Sequence, residues 1–199
     1  AAILFDLPIG DPKVRPDAAM GYAACDMAAD VPPATGCVGA GTGACVGKLM
    51  GLSSAIKGGI GYARVTLAGD VWVDALVALN AFGDVIDPNS GKVLAGARNP
   101  AGGWLNTYET LKSLTQQDFR RFAGRNTTLG VTMTNAVLSK AECQKMAAMA
   151  QNGFARCIRP VHTMGDGDVI FSLSAGEAKA NVNVLGEAAA EACALAVIN

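Results

Sequence analysis

The apolar positions follow two periods along the chain. From residue 61, "GYARVTLAGDVWVDALVALNAFGD" is rich in Val and Leu and predicts two strands with a turn at Gly69-Asp70. "TLGVTMTNAVL" and "DVIFSLS" have the same strand character. Between them the period lengthens. Ser139 and Glu142 form an S-x-x-E capping box for a helix that carries Cys143, Met146, Ala147, Ala150 and Phe154 on one face. The closing "NVNVLGEAAAEACALAVIN" predicts a second long helix. Nearer the start, residues 2–7 predict a short strand ended by Pro8 and Gly10. Asp17 caps a helix to about Ala29, stopped by Val31-Pro32-Pro33. Residues 87–103 have Pro and Gly at turn spacing and predict a loop excursion. "TYETLKSLTQQDFRRF" predicts a polar linker, helical or mobile. This mixed order defines an α+β class, with two layers of strands covered by helices.

Composition narrows the functional classes. At 199 residues the chain can build one substantial core or two small ones, and 51% hydrophobic against 17% charged residues argues against disorder. A net charge of −1 without a basic block lacks the electrostatic footprint of a nucleic-acid binder. No apolar run reaches the length that spans a bilayer, so a soluble protein without membrane partners is expected. The six cysteines form no CxxC pair and have no zinc-finger spacing with the single His162, so no metal or cofactor is expected. Free thiols in a reducing cytoplasm fit them better than three disulfides. The first residues, "AAILFDLPIG", show no signal pattern and begin inside an apolar run, which suggests a preceding segment.

Several polar residues could carry chemistry. Gly39-Ala40-Gly41-Thr42-Gly43-Ala44 fits a loose dinucleotide pattern, but Pro32, Pro33 and Thr35 stand where its strand belongs. The same loop fails as a phosphate-binding loop, because Leu49 follows Gly47-Lys48 where Ser or Thr is needed. Lys48 itself reads as a solvated lysine or as a cation held beside apolar residues. His162, the one histidine, reads as a structural hydrogen-bond partner or as the base of a nucleophilic triad. Asp166-Gly167-Asp168 is a turn with two solvated acids, or a pair of carboxylates on one strand face. Asn80, at the end of "VDALVALN", is a turn former or an oxyanion donor. Asn126-Thr127-Thr128 is a glycosylation sequon, yet an apolar run follows it at once.

Taken together, "ILFDLPIGD", "GAGTGACVGK", "LVALNAFGDVIDP" and "NTTLGVTMTNAVLSKAECQKMAAMAQNGFARCIRPVHTMGDGD" resemble one family in the same order. It is the self-cleaving N-terminal-nucleophile hydrolases of the L-aminopeptidase/D-esterase, β-peptidyl aminopeptidase and nylon-oligomer hydrolase type. The resemblance spans the chain except for the stretch around 100–122. It implies a four-layer αββα sandwich and a cut between Asn126 and Thr127. Residues 1–126 would then be the C-terminal part of a large subunit, with a variable linker at about 100–126. Residues 127–199 would be the small subunit, and the two together one domain. The residues matching the nylon-hydrolase site are Thr127, Lys48, Asn80, Asp166 and Asp168, whereas the β-peptidyl aminopeptidases use a serine nucleophile. Phe5 replaces a family tyrosine and, with Gly41 and Gly43, falls where a substrate or oxyanion pocket is implied. The family's first third has no counterpart here, so another chain or a lost segment is implied to supply it. A homo-oligomer, a tetramer of processed protomers, is also implied.

The implied chemistry is coherent. A chain-initial Thr carries its own base, an α-amine with an ordinary pKa of about 7.7–8.0. Asp166 and Asp168 would anchor this amine, Lys48 would supply positive charge, and Asn80 would steady the oxyanion. The leading expectation is an amide or peptide hydrolase acting on small substrates with a free amine. An acyltransferase of the ornithine acetyltransferase type and an uncleaved, non-catalytic scaffold are the alternatives.

Overall fold

The computed structural model describes residue 4 and residues 6–115 and 126–199. The elements in chain order are α1 (Ala18–Asp26), β1 (Cys45–Val46), β2 (Ile56–Lys57), β3 (Gly59–Thr66), β4 (Trp72–Leu79), β5 (Asp84–Ile86) and β6 (Val93–Ala95). They continue with α2 (Thr107–Leu111), β7 (Leu129–Ala136), α3 (Lys140–Cys157), β8 (Ile158–Arg159), β9 (Val169–Ala178) and α4 (Val182–Ile198). The α+β content matches the expectation.

The main sheet has the order β3-β4-β7-β9. β3 and β4 form the expected hairpin, in continuous register from Gly59↔Leu79 to Thr66↔Trp72. Gly69 and Asp70, with φ of 71° and 57°, make its turn. β7 lies antiparallel to β4, with Ala78 opposite Leu129. β9 lies parallel to β7, with Leu129 opposite Val169, and the helix α3 makes the crossover that a parallel pair requires.

α3 and α4 pack on each other and cover one face of this sheet. Val73, Ala75 and Val77 of β4 meet Met146, Ala150 and Phe154 of α3 and Leu185, Ala189 and Ala192 of α4. The capping box is present, with Ser139 Oγ accepting the Glu142 N–H and the Glu142 carboxylate accepting the Ser139 N–H. An alanine-rich α4 lets helix and sheet approach closely. At Gly61 of β3, a Cβ would collide with the carbonyl oxygen of Ala196. The opposite face carries a polar cluster at one end. Arg64 grips Asp74 through Nε and Nη2, both at 2.6 Å, Tyr62 donates to Asp74, and Arg64 stacks over Trp72. These residues, with Leu76, Val131, Met133 and residues 29–33, line a cavity of about 500 Å³.

A three-stranded sheet, β6-β5-β8, and the pair β1-β2 complete the strands. The stretch 87–103 is therefore not all loop. Gly91 N–H bonds to Asp87 O, the chain reverses, and Val93–Ala95 returns antiparallel to β5. The linker start is also anchored. Buried Asp84 accepts from Ala97 N–H, Thr107 N–H and the Thr107 hydroxyl, which ties α2 to β5. The rest of that linker, 116–125, lies outside the described residues. Helix α1 stops at Asp26 rather than Ala29, because Met27 and Ala28 bond back to Ala23 and Cys25 in a tight turn. Of the strand expected at 2–7, Leu4 and Asp6 carry no strand, and residues 2, 3 and 5 lie outside the described residues.

All six cysteines are free thiols, with Cys45, Cys157 and Cys193 buried. Among the described residues no helix is long and apolar enough to cross a membrane. None of their His, Cys, Asp and Glu side chains form a cluster of three or more suited to a metal ion.

Candidate active site

Sheet geometry gathers the distant polar residues. β4 ends at Leu79 and β7 begins at Leu129, so their antiparallel register continues to bring Asn80 beside Thr127. The parallel register of β7 and β9 likewise continues backwards through a bridge between Asn126 and Asp166. Thr127 thus lies between the end of β4 and the approach to β9. The apolar run that makes the sequon look misplaced is this central strand.

The Asn126–Thr127 peptide is held on both sides. Thr127 N–H donates to Asn80 O at 3.1 Å, and Asn126 O accepts from Gly167 N–H at 2.8 Å. The Thr127 hydroxyl lies 2.7 Å from the same Asn126 oxygen. Asn126, Thr127 and Thr128 are all buried, which a glycan-bearing asparagine is not. Two polar atoms beside this peptide, Asn126 Oδ1 and Thr128 Oγ1, are buried and have no hydrogen-bond partner among the described residues. Native proteins rarely keep such orphans.

Lys48 is not a solvated surface lysine. Its backbone N–H bonds to Phe82 O and that of Gly47 to Gly83 O, which folds the glycine-rich loop against the segment after β4. The residue is 9% exposed, and its ammonium donates to Asn80 Oδ1 at 2.6 Å and to Asn80 O at 3.0 Å. Burial holds its pKa down to about 8, against the opposing pull of Cys45, Asp166 and Asp168. Asn80 is the hub. Its carboxamide oxygen also accepts Cys45 N–H at 3.0 Å, and its backbone oxygen serves both Lys48 and Thr127.

The two aspartates reach this site through the backbone. Asp168 Oδ1 accepts Thr128 N–H at 2.7 Å, and its Oδ2 accepts His162 N–H at 3.1 Å. His162 Nδ1 lies 3.2 Å from the same oxygen, and this bond raises the imidazole pKa. His162 is thus the structural partner of the two alternatives. Asp166 Oδ2 accepts from Thr163 N–H and the Thr163 hydroxyl at 2.9 and 2.6 Å, closing a turn in which Asp166 N–H bonds to Thr163 O. Burial raises the Asp166 pKa. In this intact chain the carboxylates fix the backbone around Thr127 rather than its own nitrogen.

Gly41 and Gly43, expected to line a pocket, are both closely packed. A Cβ at Gly41 would sit 2.6 Å from Ile60 N, and one at Gly43 would overlap the Asp6 carboxylate. The close neighbour is backbone at Gly41 and the Asp6 side chain at Gly43. Phe5 lies outside the described residues. Gly167 is a site residue that side-chain chemistry could not flag. Its one sequence signal is its place between two aspartates.

The model of peptidase family S58 matches residues 2–199. An uncharacterized aminopeptidase of Mycobacterium leprae is 39% identical over 193 residues, covering 90% of this chain and 49% of the relative. A 6-aminohexanoate-oligomer endohydrolase of Kocuria sp. is 31% identical over 186 residues, covering 89% and 50%. The chain spans about half the length of these relatives. Among solved structures, a β-aminopeptidase of Burkholderia sp. superposes with a TM-score of 0.61 at 26% identity, over 94% of this chain and 51% of that one. An L-aminopeptidase D-Ala-esterase/amidase of Ochrobactrum anthropi, described as a variant of the Ntn hydrolase fold, superposes with a TM-score of 0.59 over 90% and 48%. At 21% identity it speaks for the fold alone. With a family match that runs through every element of the site, the chain belongs to peptidase family S58.

Proposed function

We propose that this chain is the part of an amide or peptide hydrolase that carries an N-terminal threonine nucleophile, released by a self-cut before Thr127. The observation that carries this reading is the buried Asn126–Thr127 peptide, whose own carbonyl oxygen lies 2.7 Å from the Thr127 hydroxyl. Each end of that peptide also faces a group that could assist. Attack by Oγ1 on the Asn126 carbonyl carbon moves the acyl group from nitrogen to oxygen, and water then hydrolyses the ester. The freed amine at Thr127, beside Asn80 O, becomes the base for substrate turnover. The Lys48 ammonium shares that Asn80 oxygen and places a positive charge one carbonyl away from the leaving nitrogen.

The aminopeptidase and endohydrolase names of the relatives favour hydrolysis over acyl transfer. The aminopeptidase name favours a peptide with a free amine, and the endohydrolase name favours an oligomer of 6-aminohexanoate. Residues 1–126 and 127–199 would be the two subunits, sharing one sheet. The face of β7 and β9 turned away from α3 and α4, with Phe171 and Leu173 about half exposed, suits the inner side of a four-layer αββα sandwich. An oligomer of processed protomers in the cytoplasm is part of the same proposal.

The purified chain is expected to give two masses in a denaturing measurement, meeting between Asn126 and Thr127. A single mass for the whole chain after prolonged incubation would instead favour the non-catalytic scaffold.

A further inference from the structure

We infer that the backbone N–H of Gly167 is the oxyanion donor for the cut at Thr127 and for the acyl-enzyme that forms on the same hydroxyl. This inference rests on the self-cleavage reading and assigns a group within it.

The geometry begins with the ladder. Gly167 stands opposite Thr127 in the extended β7–β9 register, and its N–H already holds the Asn126 oxygen at 2.8 Å. When Thr127 Oγ1 bonds to the Asn126 carbon, the C=O π pair moves onto that oxygen. A donor at 2.7–3.1 Å from the developing charge is what such a step requires. The hydroxyl proton passes to the Thr127 nitrogen, the C–N bond breaks toward nitrogen, and an ester remains. Water then adds to the ester carbon, the C–Oγ1 bond breaks, the proton returns to Oγ1, and Asn126 leaves as a carboxylic acid. Negative charge forms on the same oxygen in both steps. A substrate acyl group bonded to Thr127 would occupy the same place as the Asn126 acyl group, so the same N–H serves turnover.

The residue type follows. A Cβ at position 167 would lie 2.8 Å from Thr127 Oγ1, in the space from which the hydroxyl must attack. Asp166 is a positioning residue. Its carboxylate closes the turn on Thr163 and so aims the next N–H at Asn126. Asn80 O accepts the Thr127 N–H, on the leaving-nitrogen side of the scissile bond.

The test exchanges one N–H for an ester oxygen. Residues 157–199 begin with a cysteine, so a synthetic segment with glycolate in place of Gly167 can be ligated to residues 1–156 and the full chain refolded. The cut is followed by mass, beside an all-amide chain and a chain with the equivalent ester at Val169. Val169 N–H bonds to Thr128 O in the same ladder, so that ester costs a similar hydrogen bond away from the scissile carbonyl. The Gly167 ester is expected to slow the cut by about 10²–10³-fold, with the Val169 ester close to the all-amide rate. Equal rates for the two esters would overturn the assignment. If the all-amide chain itself stays whole, the self-cleavage reading fails and takes the donor with it. An Asp166→Ala chain, made without ligation, covers the case of an ester that does not refold. It is expected to cut at least about tenfold more slowly, and an unchanged rate would overturn an aimed Gly167 N–H.

Discussion

A Thr127→Ala chain is expected to remain one piece under conditions in which the unaltered chain divides. The substitution removes the hydroxyl 2.7 Å from the Asn126 oxygen and little else, since Thr127 is 7% exposed and its N–H stays on Asn80 O. One hydrogen bond is lost, about 1 kcal/mol, so folding should survive. Thr128 cannot take over, because attack from its hydroxyl would target the Thr127 carbonyl, one peptide further on. A Thr127→Ser chain keeps the nucleophile and is expected to divide, more slowly, because serine lacks the β-branch that restricts the hydroxyl. Denaturing mass measurement over time decides the matter. A break before residue 127 in the alanine chain would sink the proposed function.

Lys48→Met is expected to act on both chemistry and stability. Removing the ammonium from Asn80 should slow the cut by about 10²-fold, the lower end of what a positioned proton donor contributes. The stability effect depends on pH with a definite sign. Burial depresses the folded-state pKa of Lys48 from 10.5 to about 8. Below pH 8 the lysine is charged in both states. Between pH 8 and 10.5 the folded chain releases its proton while the unfolded chain keeps it, so folding gains stability as pH rises. The full gain is on the order of 3 kcal/mol. Urea midpoints of the two chains at pH 7, 9 and 10.5 are expected to shift toward the unaltered chain with rising pH. The difference between chains cancels the opposing effect of buried Cys157 and Cys193, whose thiols are pushed up to about 12. Parallel midpoints would show that Lys48 is not a buried, perturbed cation.

Local patterns made much of the fold legible. The β3–β4 hairpin, β7, the boxed start of α3, β9 and α4 each carry their own period or cap, and each is found where the pattern places it. The missed elements are short or set by distant pairing. Val93–Ala95 becomes a strand because β5 is beside it, and no period can show in three residues. The site divides in the same way. Residue types suggested Lys48, Asn80, Asp166 and Asp168, and the resemblance collected them and added Thr127. Their arrangement was not legible. The loop that buries Lys48 is held by bonds from Lys48 to Phe82 and from Gly47 to Gly83, and Asn80 meets Thr127 only through the register of β4 and β7. The aspartates hold Thr163, His162 and Thr128 through a turn closed by the Asp166 N–H on Thr163 O, which forms only in the folded chain. Gly167 contributes only backbone, which sequence does not distinguish from any other glycine.

The order β3-β4-β7-β9 has a thermodynamic consequence. A break at Thr127 would put β3 and β4 on one polypeptide and β7 and β9 on the other, with the β4–β7 ladder as their seam. α4, from the second polypeptide, also packs across β3 and β4 of the first. The pieces are therefore interleaved halves of one core, and cutting would change the molecularity of unfolding without parting them. Unfolding of one unassociated intact chain is unimolecular, and its melting temperature should not depend on concentration. The processed form melts into two molecules, so dilution should lower its melting temperature. A protein that divides itself in this way would exchange a stability that is independent of how much of it is present for one that is not.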